Sequence, residues 1–236
     1  MNDLFLRSTI AWVTLCVAAA RMCAQSTAED HSFRTARAPV DHATAIWAAS
    51  GALLVGSVVF DERLRALAIA NHTPALDRFA GGADVIGTAG HIVPALVTTY
   101  VVTRLIGRRS LADAALRVGL SYATADAIEA LLKPALGRGR PYTDHEPLTF
   151  RPLTSNDDFH SLPSAHVVHI ASLTTAVAME ANRPWVSVVS AVAISYVGAQ
   201  RVYRDQHWTS DVVLSGMLGV EAARATMQWL RARETR

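Results

Sequence analysis

Lysine is almost absent from this sequence: of 22 basic residues only Lys133 carries an ammonium group, and all the others are arginine. Cysteine is nearly as scarce. Cys16 and Cys23 both stand close to the N-terminus, so neither a disulfide framework nor a thiolate metal site can be built in the body of the chain. Charge is sparse as well, at 18% of residues against 51% apolar, with a formal net charge of +2. That balance, without a basic face interleaved with aromatics, argues against a nucleic-acid binder. Three further patterns are missing. No segment shows the period-two alternation of strands. There is no H-E-x-x-H metal motif, and no G-x-S-x-G elbow that would make a Ser–His hydrolase of Ser164 and His166.

What is present is a chain of 236 residues, long enough for one domain with a sizeable core. Its N-terminus reads as an export signal. Arg7 precedes "IAWVTLCVAAA" (10–20), too short to span a bilayer, and "RMCAQS" follows with cleavage expected after Ala24. An uncleaved anchor is the alternative. Residues 25–42 are polar and read as a linker, and 43–230 as the functional domain. Six apolar stretches fill that domain: 43–60, 85–103, about 112–132, 165–181, 185–200 and 212–230. Alanine, leucine and valine dominate them, which predicts an all-α, six-helix up-and-down bundle associated with a membrane. The first stretch is uncharged and its helix is roughly 27 Å long, close to a bilayer core. The third and sixth carry Arg117, Asp126, Glu129, Glu221 and Arg224 and are less convincing spans.

Three polar clusters interrupt the helices: Lys133 through Pro141, "HSLPSAH" (160–166) and "QRVYRDQHWTSD" (200–211). Short connections make successive helices antiparallel, which brings all three to one end of the bundle. Pooled there, Lys133, Arg140 and Arg201 are donors suited to a tetrahedral oxyanion. Ser164 and Ala165 open a helix whose N–H groups favour the same anion. His166 and His207 offer an acid and a nucleophile, and Asp211, four residues after His207, offers a carboxylate to orient its ring. Other polar residues have plainer readings. Arg138, Arg151 and Arg204 are expected to cap helix carbonyls or sit in solvent, and His91 and His169 to be structural.

The spacing is itself a signature. K-x6-R-P fits Lys133, Arg140 and Pro141; P-S-x-H fits Pro163, Ser164 and His166; R-x5-H-x3-D fits Arg201, His207 and Asp211. The chain thereby resembles the type-2 phosphatidic acid phosphatase and vanadium haloperoxidase superfamily. That resemblance implies a phosphatase acting on phosphomonoesters such as lipid phosphates. It assigns His207 as the nucleophile forming a phosphohistidine, Asp211 as the holder of its ring, and His166 as the acid for the leaving alcohol and later the base for water. It assigns Lys133, Arg140, Ser164, Ala165 and Arg201 to the phosphate oxygens, and it implies no metal and no cofactor. Two positions depart from the family pattern: Ala165 stands where glycine is usual and Gln200 where serine is usual. An alanine at a position with φ > 0 would be strained, so Ala165 is expected to narrow the site. A soluble periplasmic acid phosphatase acting on small phosphoesters and a vanadium haloperoxidase remain alternatives. Arg108, Arg109, Arg183 and the tail "RARETR" crowd the end opposite the motifs, and the positive-inside rule then faces the site to the periplasm of a bacterial-type envelope. A cleaved signal followed by six spans would put the motifs in the cytoplasm instead, so the expectation is a periplasm-facing, membrane-associated protein in which not every helix spans.

Overall fold

The computed structural model describes residues 42–234; the expected signal segment and most of the linker lie outside the described residues. Seven helices run along them: α1 (His42–Ala70), α2 (Pro74–Gly87), α3 (Ala89–Leu105), α4 (Arg109–Leu136), α5 (Ala165–Ala181), α6 (Pro184–Tyr203) and α7 (Thr209–Glu234). Short 3-10 turns at Pro141–Thr143 and Asp157–Phe159 punctuate the long connection between α4 and α5. There is no β-strand among the described residues, only an isolated bridge pairing Arg138 with Phe150. The all-α expectation holds, but the count of six does not.

The additional helix is α2. Its start signals are local: Thr73 accepts a hydrogen bond from Leu76 N–H at 3.2 Å, and Pro74 occupies the first helical position. Leu76, Phe79, Ala80, Ala83 and Ile86 recur at helical spacing, but Asp77, Arg78, Gly81 and Gly82 between them interrupt the run, so a search for continuous apolar stretches passes over it. α1 also runs past its apolar stretch to Ala70, carrying Asp61 into the interior.

The core gathers around α5. Val167, Val168, His169, Ile170, Ala171 and Ser172 are all buried, so the helix is enclosed on every side at its N-terminal half. Ala83, Val197 and Val212 close on Val167 and Ile170, while Val118, Ala223 and Met227 close on Ala176. Fully burying a valine contributes about 1.5–3 kcal/mol, so this helix is the best-anchored element and a rigid base for the residues at its start. The periphery is different. Large apolar side chains such as Val59, Phe79, Leu105, Leu131 and Trp185 stand exposed, Leu105 at 81%. Among the described residues α6 alone is long and apolar enough to cross a membrane by itself. The α2–α3 pair, bent by 47° at its break, qualifies as one unit.

The chain reversal after α4 depends on one glycine. Gly137 caps α4 with φ +61° and donates to Lys133 O at 3.0 Å. A Cβ here would lie 1.8 Å from the Arg151 carbonyl oxygen, so only glycine lets the following loop fold back onto the helix end. The C-terminal ends of α4 and α6 and the N-terminal ends of α5 and α7 thereby meet at one end of the bundle.

Candidate active site

Each motif contributes a side chain to this common end. Lys133, in the last turn of α4, forms an ion pair with Glu129 one turn earlier at 2.5 Å. Arg140 leaves the loop with its Nε donating to Asp157 O at 2.9 Å and reaches Gln206 Oε1 at 3.4 Å. From α6, Arg201 points back to the start of α5, its NH1 standing 3.2 Å from His166 Nδ1. Ser164 is fully buried as the N-cap of α5, yet its hydroxyl caps nothing and has no partner. An orphaned buried hydroxyl is costly, and at the mouth of a helix N-terminus it marks a place for an external acceptor. Ala165 is the first residue of α5 and is not among the residues with positive φ, so its methyl group carries no backbone strain. The expected strain at this position is absent.

His207 is buried in the connection between α6 and α7. Its Nδ1 lies 2.6 Å from the Ser161 carbonyl. A carbonyl can only accept, so Nδ1 carries the proton and Nε2 keeps its lone pair. Burial, with Arg140 and Lys133 nearby, holds the imidazole well below the usual histidine range. The ring is a neutral nitrogen base in a cationic setting.

Asp211 does not hold this ring as the spacing suggested. The Asp211 carboxylate is 4.0 Å from His207 Nδ1, beyond hydrogen-bond reach. It accepts instead from the Ser161 hydroxyl at 2.5 Å, from Trp208 N–H at 2.9 Å and from Arg138 at 2.5 Å. The bond to Trp208 is the back-reaching half of a capping box, because Asp211 is the third residue of α7. Ser161 thus bridges the two: its hydroxyl is fixed by Asp211 while its carbonyl orients His207.

Arg138 overturns its expected role. It is buried, and its guanidinium donates to Asp211, to Asp61 Oδ2 at 2.9 Å, to Ser210 Oγ at 2.8 Å and to Pro147 O at 2.7 Å. Asp61 in turn accepts from Ser210 N–H at 2.9 Å and from the Ser210 hydroxyl at 2.5 Å. A charged network therefore locks α1, the loop and α7 together beneath the site. Arg204 fits the plainer reading, donating to the Asp77 carbonyl at 3.4 Å in an exposed position. His169 is buried, with Nε2 2.6 Å from Asp126 Oδ1 and Nδ1 3.3 Å from Gly87 O, as a structural histidine should be.

Several residues near the site escaped the sequence reading. Asp84 on α2 receives Arg201 NH2 at 2.7 Å and Gln200 Nε2 at 2.8 Å, and Gln200 Oε1 accepts from Arg201 Nε at 2.7 Å. Gln200, where the family usually has serine, is thus a partner of the phosphate-motif arginine. Thr88 Oγ1 is 3.3 Å from His166 Nε2. Burial first, then the Arg201 guanidinium, pushes His166 down to about 4.

The fold and site together define a helical bundle with cationic side chains gathered around two histidines between helix ends. The PAP2 superfamily model matches residues 114–235, and the chain belongs to that superfamily. No curated protein matches the chain by sequence. Two crystal structures share the fold. One is the first transmembrane PAP2 type phosphatidylglycerolphosphate phosphatase from Bacillus subtilis, at TM-score 0.61 and 20% identity over 78% of this chain and 96% of that one. The other is LpxE of Aquifex aeolicus, at TM-score 0.52 and 15% identity over 72% of this chain and 95% of that one. The family match spans α4 through α7 and leaves Asp61, Asp84 and Thr88 outside it.

Proposed function

We propose that this protein is a metal-independent phosphatase that hydrolyses phosphomonoesters, with lipid phosphates such as phosphatidic acid as its substrate class. The observation that carries the reading is that Lys133 and Arg140 lie near His207, Arg201 lies beside His166, and the orphaned Ser164 hydroxyl opens the helix that carries His166. The cations and the α5 N-terminus receive the phosphoryl oxygens. Nε2 of His207 attacks phosphorus and the bond to the leaving oxygen breaks, giving a phosphohistidine. Protonated His166 donates its proton to that oxygen. His166 then takes a proton from water, the water oxygen attacks phosphorus, and inorganic phosphate leaves with His207 regenerated.

Arg201 NH1 stands against His166 Nδ1. A phosphate dianion competes for that guanidinium, and its arrival releases His166 to take up the proton it must deliver. Binding and acid activation are coupled through one arginine.

A lipid substrate is supported by the exposed apolar side chains on α1, α2, α3, α4 and α6, too many for a surface that meets only water. The two structural neighbours are described as a phosphatidylglycerolphosphate phosphatase and LpxE. A membrane-associated enzyme with its site facing the periplasm fits the arginine distribution. The test is phosphate release by the detergent-purified protein from phosphatidic acid, phosphatidylglycerol phosphate and small phosphomonoesters. Turnover of lipid esters above small ones is expected; release from none of them would overturn the reading.

A further inference from the structure

Asp84, Gly87 and Thr88 stand at the elbow between α2 and α3, outside the three motifs and outside the family match. We propose that this elbow is a fourth segment of the active site, in which Thr88 fixes the tautomer of His166 and Asp84 seats Arg201 beside it. Both are positioning residues. The functional consequence rests on the phosphatase reading above; the hydrogen-bond content does not.

The argument is one of donors and acceptors. Thr88 has a single hydroxyl proton, and it is donated to the Asp84 carbonyl at 2.5 Å. Toward His166 Nε2, at 3.3 Å, the same oxygen can then only accept. On the other side of the ring, Arg201 NH1 lies 3.2 Å from Nδ1, and a guanidinium has no acceptor capacity. Both partners therefore favour one state, with the proton on Nε2 and the lone pair on Nδ1, and at 3.2 and 3.3 Å each contact is long enough that the two are needed together.

Arg201 is held at that position through Nε and NH2, which leaves NH1 as the part that substrate phosphate can engage. Its Nε is held by Gln200 Oε1 and its NH2 by Asp84 Oδ1, and Gln200 Nε2 donates to the same Asp84 oxygen. The clamp closes on itself. Gly87 completes the elbow by close approach: a Cβ there would lie 2.9 Å from His166 Cδ2. Thr88 is also the N-cap of α3, yet its side chain makes no capping bond. Its hydroxyl serves the elbow and His166 rather than the helix it begins.

A fixed tautomer matters because it leaves Nδ1 toward Arg201 NH1, the donor that substrate phosphate engages in its place. A ring free to exchange tautomers would present its bare nitrogen to that arginine only part of the time.

The experiment uses the full chain in detergent with 15N-labelled histidine, the His166 signals being assigned from His166→Gln. Wild type should show a protonated Nε2 and a bare Nδ1. Thr88→Val, which keeps the shape and removes the hydroxyl, should give mixed tautomers, and Thr88→Ser should restore the wild-type pattern. In kinetics, Thr88→Val should lose roughly tenfold on an alkyl phosphate, a share of the ~10²–10⁴-fold expected of a general acid. Its first-turnover rate on nitrophenyl phosphate, whose leaving group needs no proton, should change far less. Asp84→Ala should raise KM about tenfold through a misplaced Arg201, with partial recovery in Asp84→Glu. A wild-type His166 protonated on Nδ1, or a Thr88→Val protein with unchanged spectrum and unchanged substrate ratio, overturns the proposal. Wild-type protein that releases phosphate from no ester would overturn the phosphatase reading instead, while the tautomer spectrum still decides the elbow.

Discussion

Replacing Arg138 by methionine tests the charged network beneath the site. Arg138 is 3% exposed, and the two carboxylates it binds, Asp61 and Asp211, are 1% and 0% exposed. Methionine refills most of the volume of the arginine stem but leaves two buried carboxylates without a cation. Removing one partner from a buried ion pair costs ~3–5 kcal/mol, because the remaining charge has lost both water and its counter-ion. At about 2–4 °C per kcal/mol for a domain of this size, the melting temperature should fall by roughly 6–20 °C. Thermal melts followed by near-UV circular dichroism in detergent measure the shift. Arg204→Met is the control, since Arg204 donates only to an exposed carbonyl at 3.4 Å; it should move the melt by about 2 °C or less. Adding Asp61→Asn to Arg138→Met should recover part of the loss, since one of the two stranded charges is removed. A shift for Arg138→Met no larger than that for Arg204→Met would refute the reasoning.

Three other expectations follow from the site. His207 has its folded pKa well below the ordinary 6.5, so the unfolded chain takes up its proton first as pH falls. The stability it contributes is complete above about pH 6.5 and is lost as pH falls below that value. The nucleophile itself stays neutral there, so the His207-dependent acidic limb of kcat/KM should lie below pH 6.5; a limb at or above it contradicts the assignment. His166→Ala should lose ~10²–10⁴-fold on phosphatidic acid, whose alkoxide needs a proton, but much less in the first turnover of nitrophenyl phosphate, giving a burst followed by slow release. Equal losses in that first step would make His166 a phosphate-binding residue instead. EDTA should leave activity nearly unchanged while orthovanadate inhibits, and loss in EDTA that magnesium restores would point to a metal-dependent phosphatase.

The motif residues were legible because each triplet is local in sequence and helix alternation brings the triplets to one end. Lys133, Ser164, His166 and Arg201 stand at helix ends and Arg140 and His207 in the loops that follow α4 and α6, and helix alternation brings them together even though α2 was missed. The partners of those residues were not legible. Asp61 meets Ser210 across 149 positions and Asp84 meets Arg201 across 117, and no local pattern announces such a pairing. Arg138 reads as a loop cation because arginine beside a helix end is usually solvated; only the placement of two distant carboxylates makes it buried. Asp211 misled for a subtler reason. The i, i+4 spacing assumes that His207 is helical, but α7 begins at Thr209 and the ring hangs in the loop before it. Thr73–Pro74 was a readable start signal for α2, obscured by the glycines and charges that follow.

The central claim is that His207 accepts the phosphoryl group. Nitrophenyl phosphate labelled with 32P, whose leaving group needs no proton, should be mixed with the His166→Ala protein, in which water attack on the intermediate lacks its base. The mixture is quenched within the first turnover, digested and analysed by mass spectrometry. The account predicts an acid-labile, alkali-stable label on the peptide carrying His207, absent when His207 is also changed to alanine. A label on any other residue, or persisting after His207→Ala, would contradict it.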